Sequence, residues 1–380
     1  MVDLKGQYLK IKDEIDRAVL DVIESGAFIN GPAVRKFQAN LEKYLGAKHV
    51  IPCANGTDAL QIALMALDLQ PGDEIIVPAF TYVATAEVIA LLRLTPVMVD
   101  VDRDTFNTTA ELIEPFITAK TKAIVPVHLF GQACDMQPIM ELAKKYNLYV
   151  IEDNAQAIGA EYTFADGTKQ KAGTIGHIGT TSFYPAKNLG AYGDAGAIFT
   201  NDDALAETMR QIANHGQSET YYHDRVGVNS RLDSIQAAIL DKKLKYLDEY
   251  AAARNSAAQY YDKAFAGIEE LQTPKRAAYS THVYHQYTIR VKNGRRAELK
   301  EYLTENNIPN SIFYPLPLYK QKAFEKSAPE NLILTNTEEL CDSVISIPVH
   351  TEMTEAHLEK IINKLKSFFE RGGAQTFTGS

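Results

Sequence analysis

Apolar and polar positions alternate in two distinct rhythms along the chain. The runs EIIVPAF (74–80), TPVMVDVD (95–102), AIVPVHLF (123–130) and NLYVIED (147–153) are short, apolar and bounded by turn residues, and they read as buried strands. Between them lie helical patterns: DALQIALMALDL (58–69), TAEVIALLR (85–93), ELIEPFIT (111–118) and MQPIMELAKKY (136–146). Strands alternating with helices of this length predict βαβ crossovers and a mainly parallel sheet. The strands are apolar throughout, as a sheet covered by helices on both faces requires.

The rhythm changes after residue 231. RLDSIQAAILDKKLKYLDEYAAARNSAAQYYDKAF reads as one long helix, VYHQYTIRV (283–291) as an alternating strand, and RAELKEYLTENN as a helix. ISIPVH (345–350) leads into a last helix, EAHLEKIINKLKSFF. This mixture predicts a smaller α+β domain at the C-terminus, with the boundary near 245–250. The expected division is 1–247 and 248–371, with 372–380 a frayed tail excluded from the fold.

Composition narrows the class. Of 380 residues, 46% are hydrophobic and 23% charged, the mixture of a water-soluble globular protein with room for a large core. The net charge of −9 argues against a nucleic-acid binder, which needs a basic face. The odd, widely spaced cysteines Cys53, Cys134 and Cys341 form no CxxC pair, which disfavours zinc and disulfides and suits a reducing cytoplasm. The N-terminus lacks a signal-peptide core, and no apolar run is long enough to span a membrane.

Candidate chemistry collects at strand ends, where open α/β sheets bind ligands. In CANGTDAL (53–60), Gly56 and Thr57 precede a helix whose free N–H groups suit a phosphate; the plainer reading is a helix cap from Thr57. Asp153 ends an apolar strand, where its carboxylate can hold a pyridinium nitrogen protonated, as pyridoxal 5′-phosphate requires; alternatively Asp153 or Asn154 caps a helix. TSFYPAKNLGAYGDAGAIFT (181–200) places Lys187 in a glycine-rich turn after a strand. A lysine attacks a carbonyl only when neutral, so burial must lower its pKa; on a solvated loop it would be only a surface charge. Ser182 lies within reach of the same phosphate. Asn229 and Arg231 stand before the long helix, where the planar guanidinium suits a phosphate or carboxylate; otherwise Arg231 is solvated beside an acidic cap, Asp233. His215 and His223 have no metal-ligand spacing and read as polar loop residues.

These motifs occur in one order. ANGTDAL, PAFTYVATAE, YVIEDNAQAIGA, SFYPAKNLGAYGDAGAI and NSRLDSIQAAIL together resemble the DegT/StrS family of sugar-nucleotide aminotransferases, from about Asp3 to about Phe369. The resemblance implies pyridoxal-phosphate fold type I: a mainly parallel seven-stranded sheet flanked by helices, with a small C-terminal α+β domain. It implies that Lys187 carries the cofactor aldehyde, that Asp153 pairs with the ring nitrogen and that Gln156 contacts the ring oxygen. Gly56, Thr57 and Ser182 match the phosphate cradle, and Tyr82 matches an aromatic ring stacked on the cofactor. Asn229 matches an asparagine that reaches the cofactor phosphate of the neighbouring subunit, which implies a homodimer with shared active sites. Members that act as dehydratases have histidine in place of the lysine, so Lys187 favours transamination. Ala186 departs from the glycine usual before the lysine.

HGQ (215–217), RVGVNSRLD and CANGTDALQIALMAL are most similar to the subgroup that aminates C3 of UDP-2-acetamido-2-deoxy-3-oxo-glucuronic acid with L-glutamate, for surface polysaccharides. In that subgroup an arginine two residues after the asparagine meets the sugar carboxylate, the position of Arg231. Phe313-Tyr314 replaces a usual histidine–tyrosine pair in the substrate loop. A dTDP-3-oxo-6-deoxyhexose 3-aminotransferase and a non-catalytic regulator on the same fold are the competing expectations.

Overall fold

The computed structural model describes residues 1–325, 329 and 331–373, so most of the expected tail lies outside the described residues. A seven-stranded sheet forms the centre, in the order β1-β9-β8-β5-β4-β2-β3. Its strands are β1 (His49–Cys53), β2 (Glu74–Pro78), β3 (Thr95–Val99), β4 (Thr121–Ile124), β5 (Tyr149–Asp153), β8 (Ile178–Ser182) and β9 (Gly196–Thr200). A hairpin of β6 (Glu161–Thr163) and β7 (Lys169–Lys171) interrupts the series. β2, β3, β4, β5 and β8 are parallel to one another, whereas β9 runs antiparallel to both β8 and β1. Six strands therefore point their carboxyl ends at one edge.

The apolar runs are explained by helices on both faces. Along β2, Ile75 and Val77 face a core shared with Ile62 and Ile89, while Ile76 faces the opposite core with Ile139 and Leu142. Helix Gly56–Met65 fills the first core, and helix Met136–Tyr146 covers the second.

β10 (Gln217–Glu219) and β11 (Tyr222–His223) form an exposed hairpin that precedes helix Ser234–Leu244. The long helix expected after residue 231 is two helices, Ser234–Leu244 and Leu247–Phe265. Tyr246 leaves helical geometry, with φ −101° and ψ 0°. The break has no glycine or proline to announce it. It is held from outside: Tyr246 Oη donates to Glu14 at 2.6 Å, and Lys245 pairs with the same carboxylate.

The C-terminal domain is built on a three-stranded antiparallel sheet of β12 (Leu271–Gln272), β13 (Tyr287–Val291) and β14 (Val344–Ile347). Its core joins Ile289 and Ile345 to Tyr261, Phe265, Leu299, Leu303 and Leu365 from three helices. The strand expected from 283 begins at Tyr287; the residues before it instead bond to the turn at 130–132 that follows β4.

Candidate functional site

Asp153 ends β5 and is buried. Its Oδ2 accepts from the Thr85 hydroxyl at 2.7 Å, and its Oδ1 from the Ala155 N–H at 3.1 Å. No helix starts there, so the capping alternative falls. The alternation of a strand sends the preceding Glu152 to the other side, where it accepts from His128 Nε2 at 2.7 Å and from the N–H groups of Gly173, Ile175 and Gly176. The two adjacent carboxylates are thus separated, one locked in the scaffold and one at the sheet edge.

Lys187 follows β8 in a turn closed by its own N–H donating to the Tyr184 carbonyl at 2.8 Å. The residue is half-buried, and desolvation of its amine lowers the pKa from 10.5 to about 8, against the opposing attraction of Asp153. That brings the neutral amine within reach of physiological pH and within the field of the Asp153 carboxylate.

The end of β1 leads into a helix N-terminus. Asn55 caps helix Gly56–Met65, its side chain accepting from the Asp58 N–H at 2.8 Å, so the cap is Asn55 and not Thr57. The first helical N–H groups stay free of intrahelical bonds. A Cβ at Gly56 would stand 2.6 Å from Ser182 Cβ, which shows how closely the two segments approach. One on Gly196 would stand 2.4 Å from the Asn55 carbonyl oxygen. Gly56, Thr57 and Ser182 therefore lie together at one mouth, with Lys187 five residues beyond Ser182.

Gln156 is fixed at both ends. Its carbonyl accepts from the Phe130 N–H at 2.9 Å and its amide donates to Tyr314 Oη at 3.1 Å. Burial raises the Tyr314 phenol pKa, so it stays protonated, and Asp153 adds to that shift. Tyr82 is exposed, with its ring 6.4 Å from that of Tyr314. Phe313 is half-buried and packs with Tyr314 against the cluster of Phe80, Phe106 and Phe130. Asn229 is exposed and Arg231 half-buried. They flank Ser230, whose hydroxyl accepts from the Ala54 N–H at 3.1 Å and ties this segment to the end of β1.

Three residues were not foreseen. Thr85 lay inside a recognised motif, but only the sheet order brings it to Asp153. Asn188 donates to the Val283 carbonyl at 2.8 Å, tethering the lysine turn to the C-terminal domain. His285 is buried, and its Nδ1 has no partner among the described residues. Burial first, then the charges of Lys187 and Arg254, push its pKa well below the ordinary imidazole value.

A low-pKa amine, a hydrogen-bonded carboxylate and a glycine-lined helix N-terminus at one sheet edge match the needs of pyridoxal 5′-phosphate: an aldehyde, a basic ring nitrogen and a phosphate.

A family model described as the DegT/DnrJ/EryC1/StrS aminotransferase family matches residues 9–366. The chain is 45% identical to a UDP-2-acetamido-2-deoxy-3-oxo-D-glucuronate aminotransferase of Pseudomonas aeruginosa, covering 95% of this chain and 97% of the relative. It is 42% identical to a UDP-N-acetyl-3-dehydro-alpha-D-glucosamine 3-aminotransferase of Acidithiobacillus ferrooxidans, covering 96% of each. A crystal structure of a DegT DnrJ EryC1 StrS aminotransferase from Brucella abortus superposes with a TM-score of 0.92 at 41% identity, covering 97% of this chain and 98% of that one.

Proposed function

The chain belongs to the DegT/DnrJ/EryC1/StrS aminotransferase family, whose cofactor is pyridoxal 5′-phosphate, and from that premise we propose that it moves the amino group of L-glutamate to C3 of UDP-2-acetamido-2-deoxy-3-oxo-glucuronic acid. The observation that carries the proposal is the gathering at one sheet edge of the Lys187 turn, the Thr85-bonded Asp153 carboxylate and the close approach of Gly56 to Ser182. The similarity to 3-oxo-sugar aminotransferases supports the acceptor.

Bound at this edge, the cofactor supplies an electron-poor ring that takes up the charge left when the donor's α-proton departs. Lys187 Nζ would accept that proton from the α-carbon of glutamate and, in the second half-reaction, deliver one proton to C3 of the sugar. A lowered pKa suits both directions, because the amine must take up a proton in one half-reaction and release one in the other. Asp153, oriented by Thr85, holds the ring nitrogen protonated. Gly56, Thr57 and Ser182 bind the phosphate, Gln156 binds the ring oxygen and Tyr82 covers one ring face. Arg231 binds the sugar carboxylate, with Phe313 and Tyr314 walling the acceptor site. Asn229, exposed within one subunit, reaches the cofactor phosphate of its partner in a homodimer. Glutamate enters first and 2-oxoglutarate leaves before the sugar binds, which gives ping-pong kinetics.

The same proposal sets the domain boundary at 247/248 and places the enzyme in the cytoplasm; among the described residues no helix is long and apolar enough to cross a membrane. Phe313, standing where the subgroup has histidine, weakens the uronate reading, and the second acceptor class is a dTDP-3-oxo-6-deoxyhexose, whose sugar has no carboxylate. Lys187→Ala is the test of the reaction: it should fold, bind pyridoxamine phosphate and lose turnover with either acceptor. Undiminished turnover overturns the reading, and the ratio of rates with the two acceptors decides between them.

A further inference from the structure

Lys243 is a lysine in the wrong medium. It lies near the end of helix Ser234–Leu244, is 1% exposed, and stands beside Leu244 and one turn from Leu240, which join a buried cluster with Phe183, Leu189 and Leu247. Its amine donates to the Gly190 carbonyl at 2.5 Å and stands 5.1 Å from the centre of the Tyr192 ring. No carboxylate is bonded to it among the described residues, and desolvation, followed by the charge of Arg254, lowers its pKa to about 8. Methionine would fill nearly the same volume without the desolvation penalty of an amine. Stability alone therefore gives no reason for a lysine here.

What the amine holds supplies the reason. Gly190 ends the turn that presents Lys187. A Cβ at Gly190 would stand 2.2 Å from the Pro185 carbonyl oxygen, so the segment from Pro185 to Gly190 closes on itself with Lys187 inside it. One anchor is Asn188, bonded to Val283 of the C-terminal region. The other comes from helix Ser234–Leu244. Gln236 accepts from the Tyr192 N–H at 2.8 Å, and Lys243, seven residues on and so on the same helix face, binds Gly190. Two side chains of one helix thus grip the backbone just beyond Lys187. The same helix follows Arg231 directly.

We infer that Lys243 is a positioning residue for the reaction: by holding the Gly190 carbonyl it fixes where the turn delivers the Lys187 amine relative to Asp153 and the phosphate mouth. It touches no reacting atom. The inference rests on Lys187 being the reacting amine.

The test replaces Lys243 with methionine in the full chain. Lys243→Met should melt close to the wild-type temperature, because loss of the donor to the Gly190 carbonyl is offset by removal of a buried amine. Titration of the apo-protein with pyridoxal phosphate should nevertheless show a dissociation constant raised about tenfold. Turnover should fall about 10²-fold, the order expected of a misplacement near 1 Å, with the glutamate KM within about twofold. A merely structural lysine would give the reverse pattern: a lower melting temperature, with affinity and turnover unchanged per folded molecule. A dissociation constant and turnover both within about twofold of wild type overturn the inference. If Lys243→Met does not fold, Tyr192→Leu decides, since Tyr192 is more than a third exposed. It uncovers the amine, and a dissociation constant raised about threefold supports the clamp while an unchanged one overturns it. Failure of the clamp leaves the reaction intact; only Lys187→Ala with full turnover removes both.

Discussion

Thr85 and Asp153 are joined by a 2.7 Å hydrogen bond between buried groups, the hydroxyl donating to Oδ2. With the Ala155 N–H on Oδ1, this bond fixes the direction in which the carboxylate faces the sheet edge. Thr85→Val keeps the shape and removes the donor. It should fold normally and weaken cofactor binding at least about tenfold, since hydrogen bonds to charged groups contribute about 1.5–3 kcal/mol. Cofactor titration measures this, and unchanged affinity would show that Asp153 needs no such orientation.

The lowered pKa of Lys187 has a sign that stability measurements can read. Below about pH 8 the amine is protonated in both folded and unfolded chains, and its buried charge destabilises the apo-protein. Between about 8 and 10.5 the unfolded chain binds a proton that the folded chain does not, so stability rises with pH. Apo Lys187→Met should therefore melt higher than wild-type apo-protein at pH 7, with the gap shrinking by pH 10. Paired thermal melts check this; a gap that does not vary with pH contradicts the lowered pKa.

Gly56→Ala places a methyl group against both Cβ and Cα of Ser182, at 2.6 and 3.2 Å. Backbone must shift to admit it, which costs about 1–3 kcal/mol of stability. The shift falls on the proposed phosphate mouth, so cofactor affinity should drop more than stability does. Calorimetry compared with cofactor titration separates the two, and wild-type affinity would remove Gly56 from the cradle.

Arg231→Ala addresses the acceptor. With the uronate substrate its KM should rise about 10- to 100-fold, the range expected for losing a charge-assisted bidentate pair, whereas a neutral 6-deoxy acceptor should be unaffected. Steady-state kinetics with both sugars decide. An equal loss with both would place Arg231 on the nucleotide or cofactor instead.

Asn229→Ala mixed with Lys187→Ala tests the shared site. Each variant alone should be inactive, whereas a mixed dimer assembles one site with a native lysine and a native asparagine. Activity recovered after subunit exchange is the expected result; none recovered would place Asn229 in its own subunit's site.

The strands from Glu74 to Asp153 were legible because each is a continuous apolar run between helical patterns, the mark of a sheet buried on both faces. β1 and β9 were not, for local reasons. Pro52 demotes HVIPC as a strand, yet β1 is an edge strand, where a proline is tolerated. GAIFT opens on Gly196, which the sheet needs because the Asn55–Gly56 backbone passes against it. Asp153 and Lys187 were legible because their chemistry is unusual for their positions. Thr85, Asn188 and Lys243 were not, since each bonds to a partner that only the fold brings to it.

The bond from Asn188 to Val283 ties the residue next to Lys187 to the C-terminal domain. Chimeras that graft that domain from a relative would thus import the carbonyl on which the turn hangs. The seam for such recombination belongs after Val283, with the native 283 segment retained, so that a new acceptor wall can be fitted without disturbing the amine.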